Sequence, residues 1–119
     1  MIIELHEKQD LEELLMRSNK EPVLLFKHST QCSISMQVYE EFMEFVEGGR
    51  DLLCGIVLVI ENRKLSNAIA ERFGVRHQSP QAILIKDGRA VWHASHWSIT
   101  SASLNDALTS YAQPAHQRN

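Results

Sequence analysis

Sulfur chemistry is scarce in this chain. It has two cysteines, Cys32 and Cys54, among 119 residues, which excludes a disulfide-stapled scaffold. Long apolar runs are missing too. None approaches the roughly 20 residues that span a bilayer, so no membrane partner is expected. An excess of positive charge is also lacking. Twelve Lys and Arg against fifteen Asp and Glu leave a net charge of −3, and without a basic patch nucleic acid is not an expected partner. The opening segment, Met1 to Glu7, has neither the basic region nor the apolar core of a signal peptide. The expected location is therefore cytoplasmic, where both cysteines would stay reduced. What remains is an ordinary globular composition, 44% hydrophobic and 23% charged, sufficient for one domain with its own core. That domain is expected over 1–112, with a polar tail at 113–119.

The most informative stretch runs from Pro22 to Ser35. Pro22 opens a continuous apolar run, Val23 to Phe26, at a place where a missing N–H is tolerated. The run breaks into the polar segment Lys27-His28-Ser29-Thr30-Gln31, and Cys32 follows where a helical pattern begins. A strand ending at a helix N-terminus puts the thiol among unpaired N–H groups and the positive end of the helix dipole, which favour an anion. Cysteines so placed tend toward the thiolate form. Cys32 is the candidate reactive atom. The alternative is a small buried apolar residue, and the polar neighbours on both sides weigh against it.

The other elements are read from periodicity. Ile2 to Leu5 is a short strand. Asp10, with Glu13 in capping-box spacing, starts a helix carrying Leu11, Leu14 and Leu15 on one face. Val38, Phe42, Phe45 and Val46 give the helix after Cys32 its apolar stripe, and Gly48-Gly49 stops it. Cys54 to Ile60 is apolar on both faces, as a central parallel strand is. Asn62 caps a helix holding Leu65, Ala68, Ile69 and Phe73, with Gly74 at its end. Two antiparallel strands, Gln81 to Lys86 and Arg89 to Ala94, are joined by Asp87-Gly88, a strong hairpin signal. A last helix carries Leu104, Ala107, Leu108 and Tyr111, capped by Thr100 or Ser101 and ended by Pro114.

Alternating strands and helices, a cysteine at a helix start and a proline before an antiparallel hairpin resemble the thioredoxin fold. Phe73-Gly74-Val75, Ser79-Pro80 and Lys86-Asp87-Gly88-Arg89 resemble the second half of thioredoxins. The implied architecture is α/β: a central mixed sheet of four to five strands flanked by about four helices. The resemblance also implies a cis Ser79–Pro80 bond beside the reactive cysteine. Within the superfamily the chain is most similar to the YtxJ-like monothiol bacilliredoxins. This rests on Leu25-Phe26-Lys27-His28-Ser29-Thr30, Cys32-Ser33-Ile34-Ser35, His77-Gln78-Ser79-Pro80-Gln81 and Ala94-Ser95-His96-Trp97. The family's usual Thr-Cys-Pro-Ile-Ser core differs here at Gln31 and Ser33. Losing that proline frees the first helical turn and adds a backbone donor.

Dithiol thioredoxins carry a resolving cysteine three residues after the first; here that position is Ser35, which cannot close a disulfide. Cys54, at the start of its strand, belongs at the opposite end of the sheet, beyond the ~7 Å Cα separation that a disulfide tolerates. The aspartate that thioredoxins bury six residues before the nucleophile is Phe26 here, in keeping with the absence of a thiol to deprotonate. The resemblance thus implies a monothiol oxidoreductase. Cys32 would remove a low-molecular-weight thiol from S-thiolated client proteins, with bacillithiol as co-substrate and no bound cofactor.

Thr30, Gln31, Ser33, Ser35, Ser79, Pro80, His96 and Trp97 are the candidate substrate contacts. His28 either stabilises the thiolate or terminates its strand. His96 and Trp97 form either a groove wall or a polar strand end with a packing indole. Met36 and Met43 are read as packing residues. His93 and His96 make a His-x-x-His without the further ligands a metal needs, so no metal site is expected. Two other readings stay open: a cluster carrier, which lacks its Cys-Gly-Phe-Ser motif here, and a thioredoxin-fold stress or binding protein in which Cys32 is only modified.

Overall fold

The computed structural model describes residues 1–48 and 51–111, so the expected 113–119 tail, the 112 boundary, Gly49 and Pro114 lie outside the described residues. Chain order is β1 (Ile2–Glu4), α1 (Lys8–Arg17), β2 (Val23–His28), α2 (Ser33–Glu47), β3 (Leu53–Leu58), α3 (Arg63–Phe73), β4 (Gln81–Lys86), β5 (Arg89–Ser95), a short 3-10 turn (His96–Ser98) and α4 (Ser101–Tyr111). The strands form one mixed sheet in the order β1-β3-β2-β4-β5. β1 and β2 run parallel to β3, whereas β4 is antiparallel to both β2 and β5.

Alternation along the strands sorts the core into two layers. Leu24, Phe26, Ile56 and Leu84 pack with Val38, Phe42 and Phe45 of α2 and Leu104 of α4. Val23, Leu25, Val57 and Ile83 pack on the other face with Leu11 and Leu14 of α1 and Leu65 and Ile69 of α3. β2 is buried at all six positions, including the polar Lys27 and His28 at its end. Both faces of this strand are covered, so its last two side chains are enclosed on opposite sides. At Gly55 of β3, an added Cβ would lie 3.0 Å from both Leu5 and Leu14. This close approach is what lets α1 settle on the sheet.

Local signals account for the ends of the elements. Asp87 and Gly88 both have positive φ, 53° and 74°, which the tight β4–β5 hairpin requires. Gly74 takes the left-handed conformation at the end of α3. Thr100 and Ser103 cap α4 reciprocally, each backbone N–H donating to the other's hydroxyl at 3.0 Å. Two expectations need correction. The first helix begins at Lys8 with Glu7 as its cap, and Asp10 is the third helical residue, its carboxylate accepting from the backbone N–H groups of His6 and Glu7. An acidic side chain can close a capping box from either end, and the sequence alone does not say which. The third strand is Leu53–Leu58, not Cys54 to Ile60; Ile60 is 44% exposed in the turn beyond it.

Candidate active site at Cys32

The parallel strands β2 and β3 end side by side, joined by the Val59 N–H donating to the His28 carbonyl at 3.0 Å. Beyond β2 the chain turns through Ser29 to Gln31 and enters α2. Cys32 is the N-cap of that helix, with extended backbone and no side-chain capping bond, and it is half-buried. Its carbonyl accepts the first helical hydrogen bond, from the Met36 N–H at 3.0 Å. Thr30, Gln31 and Ser33 around it are exposed. A thiol here meets solvent at a helix start, open to an incoming disulfide.

Ser35 lies one turn further and is fully buried. Its Oγ accepts from the Ser29 N–H at 3.0 Å and sits 2.8 Å from His28 Nδ1. The His28 ring stacks on Tyr39, centroids 4.4 Å apart and planes 16° from parallel. Burial lowers the His28 pKa, with Glu61 pulling weakly the other way. Its imidazole is therefore neutral at neutral pH and supplies no positive charge to a thiolate. His28 ends β2 and fixes Ser35. Sequence reasoning read Ser35 as the place of a missing thiol and as a candidate substrate contact, not as the buried partner of His28; the pair of polar residues closing an otherwise apolar strand was the available sign of this joint.

The Ser79–Pro80 bond is cis. Gln81, the first residue of β4, is the register partner of Lys27 on β2 and of Ser95 on β5. Continuing that register by one position sets Pro80 beside His28. Gln81 thus spends its backbone on the sheet. Its amide Nε2–H donates to the Arg76 carbonyl at 3.0 Å, while Gln81 Oε1 and Ser79 Oγ are buried without a partner among the described residues.

His96 donates its backbone N–H to the Pro80 carbonyl at 3.0 Å and holds φ at 53°. A left-handed backbone on a residue with a Cβ costs about 1–2 kcal/mol. Trp97, beside it, is 57% exposed. Met36, read from sequence as packing, is 46% exposed on the first turn of α2, whereas Met43 packs against the core. Pro80, His96 and the His28–Ser35 joint therefore meet at the end of the sheet from which Cys32 projects.

Cys54 is fully buried and pairs in register with Leu24 of β2 and Ile2 of β1. Leu24 is four residues from the end of its strand, so Cys54 lies toward the opposite end of the sheet from Cys32. Burial pushes its pKa well above the ordinary thiol value. It is a core residue.

A second polar joint, which sequence reasoning missed, lies on the other sheet face. Lys27 is fully buried, and its Nζ donates to the Ser66 carbonyl at 3.0 Å and sits 3.1 Å from His77 Nδ1. Desolvation lowers the Lys27 pKa to about 8.

Comparison with known proteins agrees with this arrangement. A solved structure described as having a thioredoxin fold aligns with a TM-score of 0.82 and 33% identity, over 89% of this chain and 92% of that one. A reduced thioredoxin pre-protein of Schistosoma mansoni aligns at 0.74 and 23% identity, over 92% and 97%. A thioredoxin of Fasciola hepatica aligns at 0.74 and 18%, over the same shares. The sheet with its four flanking helices is a thioredoxin fold. The family model described as monothiol bacilliredoxin BrxC matches residues 3–104, and this chain belongs to the monothiol bacilliredoxin family.

Proposed function

We propose that the protein is a one-thiol exchange enzyme that removes a low-molecular-weight thiol from mixed disulfides on client proteins. The Cys32 thiolate attacks the small thiol's sulfur in a client–S–S–R adduct. The client leaves as a thiolate and takes a proton from solvent, and Cys32 now carries R in a new disulfide. A second thiolate, R′S⁻, attacks the sulfur of R, forming R–S–S–R′ and returning the Cys32 thiolate. Such exchange depends on thiolate fraction, nucleophilicity and access. The family's name suggests bacillithiol for R; the expected setting is the cytoplasm, with no bound cofactor.

One observation carries this reading: Cys32 is half-exposed at a helix start, with a buried serine hydroxyl where a resolving thiol would stand. Thr30, Gln31 and Ser33 border the approach to the sulfur. Ser35 shapes it from below, while Ser79, Pro80, His96 and Trp97 supply the opposite wall. The test is release of the small thiol from a bacillithiolated client, followed by mass spectrometry. Wild type should release the client thiol and gain one adduct on Cys32, and Cys32→Ser should do neither. Full release by Cys32→Ser would end this reading.

A further inference from the structure

Lys27 is a cation enclosed by the protein with no carboxylate within salt-bridge distance among the described residues. Enclosed charges are ordinarily paired. Its contacts lead toward solvent. Nζ donates to the Ser66 carbonyl in the first turns of α3 and meets His77 Nδ1 at 3.1 Å, while Ser66 Oγ is 3.3 Å from the same nitrogen. An ammonium can only donate, so Nδ1 accepts and the ring proton resides on Nε2. His77 is exposed, and its Nε2 has no partner among the described residues. Burial first, and then the charges of Lys27 and Arg63, lower the His77 pKa, so the ring is neutral with its N–H turned outward.

The charges that bear on His77 are cationic, Lys27 and Arg63. Arg63 begins α3, Lys64 follows it and Arg76 precedes His77. All three are exposed, with no ion pair among the described residues. Glu61 is the acidic neighbour, and its influence falls on His28. On a chain of net charge −3, the basic residues Arg63, Lys64 and Arg76 outnumber Glu61 in this neighbourhood. Of this cluster His77 lies nearest in sequence to the reactive end of the sheet: three residues, a span of at most about 10 Å, separate it from Pro80, the register neighbour of His28.

We infer that His77, backed by Lys27 and flanked by Arg63, forms an anion subsite that takes a carboxylate of the thiol-bearing substrate. Lys27 is a positioning residue, since it acts through the imidazole. The inference rests on the exchange reading above for its substrate, and on the polar cluster alone for its ligand. The carboxylate can belong to the small thiol or to an acidic side chain of the client, and a small disulfide with no protein attached separates these sources.

The test compares second-order rates of Cys32 with the disulfide of mercaptosuccinate, which is anionic, and with 2-hydroxyethyl disulfide, which is neutral. His77→Ala and Arg63→Ala should each lower the anionic-to-neutral rate ratio about five-fold, the size of one partly exposed charged hydrogen bond. Lys27→Met should do the same and also change the tautomer signature of the His77 ring nitrogens in ¹⁵N spectra. A parallel titration with succinate, read at the His77 ring protons, requires no sulfur chemistry. A succinate response with no reaction of either disulfide would keep the subsite and overturn the exchange reading. Exchange with a ratio indifferent to His77 and Arg63, and no succinate response, would overturn the subsite. If the variants leave the small-disulfide ratio unchanged but slow exchange with a client carrying uncharged 2-mercaptoethanol in mixed disulfide, the carboxylate is the client's. If Lys27→Met does not fold, the His77 and Arg63 variants decide alone.

Discussion

His28 Nδ1 lies 2.8 Å from the hydroxyl of Ser35, the residue that stands where a dithiol thioredoxin keeps its second sulfur. The same hydroxyl accepts from the Ser29 N–H, so one buried oxygen joins the end of β2, the loop to Cys32 and the first turn of α2. Ser35→Ala leaves the Ser29 donor and the His28 nitrogen without this partner, which costs about 1–3 kcal/mol. Thermal unfolding should show the loss. Ser35→Cys replaces oxygen with sulfur beside a neutral imidazole able to accept its proton. Under mild oxidation that variant should lose two hydrogens by mass and stop accumulating the Cys32 adduct. Retention of a stable adduct would mean that position 35 cannot reach the reactive sulfur.

The two cysteines should behave as different substances. In the folded protein a thiol reagent should titrate one sulfhydryl, Cys32, and in denaturant two. Cys54→Ala should keep full exchange activity at a stability cost of about 1–2 kcal/mol for the lost buried volume. Reaction of both thiols in the native state would contradict the burial of Cys54.

Stability at alkaline pH should carry the signature of Lys27. In the unfolded chain its amine keeps a proton up to the ordinary value of 10.5, but in the folded protein it loses it near 8. Between these values the unfolded state binds the extra proton, so the Lys27 contribution makes stability rise with pH. Cys54 works in the opposite sense: its raised pKa means that the unfolded thiol ionises first, and stability falls as pH climbs past 9.0. Comparing wild type with Lys27→Met from pH 7 to 10.5 isolates the lysine. The variant should be the more stable at pH 7, with the gap closing by several degrees in Tm as pH rises. A constant gap would show that the amine does not titrate on folding.

His96 holds a backbone conformation that suits glycine. His96→Gly relieves about 1 kcal/mol of that strain, and Tm should rise. The exchange rate should fall, because the imidazole that the strained turn carries is gone. A variant both more stable and fully active would leave the side chain without a part in the reaction.

Nearly every element was legible from periodicity and punctuation, because β2, β3 and the helix stripes carry uninterrupted apolar patterns and Asn62, Gly74, Asp87 and Gly88 mark the ends. Cys32 was legible for the same reason: a polar break followed by a helix start is a local signal. The joints around it were not. Ser35 with His28 is seven residues apart, Lys27 with His77 fifty, and His96 with Pro80 sixteen. Each depends on a register between strands or on a helix settling over a strand end, which no local window contains. The left-handed backbone of His96 was hidden too, since histidine does not announce that conformation as glycine does.

Cys54 lies toward the opposite end of the sheet from Cys32, and under the proposed exchange this would set the protein's manner of working. A molecule with a single berth cannot hold oxidising equivalents in reserve; in that scheme it would ferry one passenger and wait for an outside thiol to unload it. Throughput would then follow the abundance of that thiol, and the occupied fraction of the protein would become a gauge of how well the surroundings are supplied.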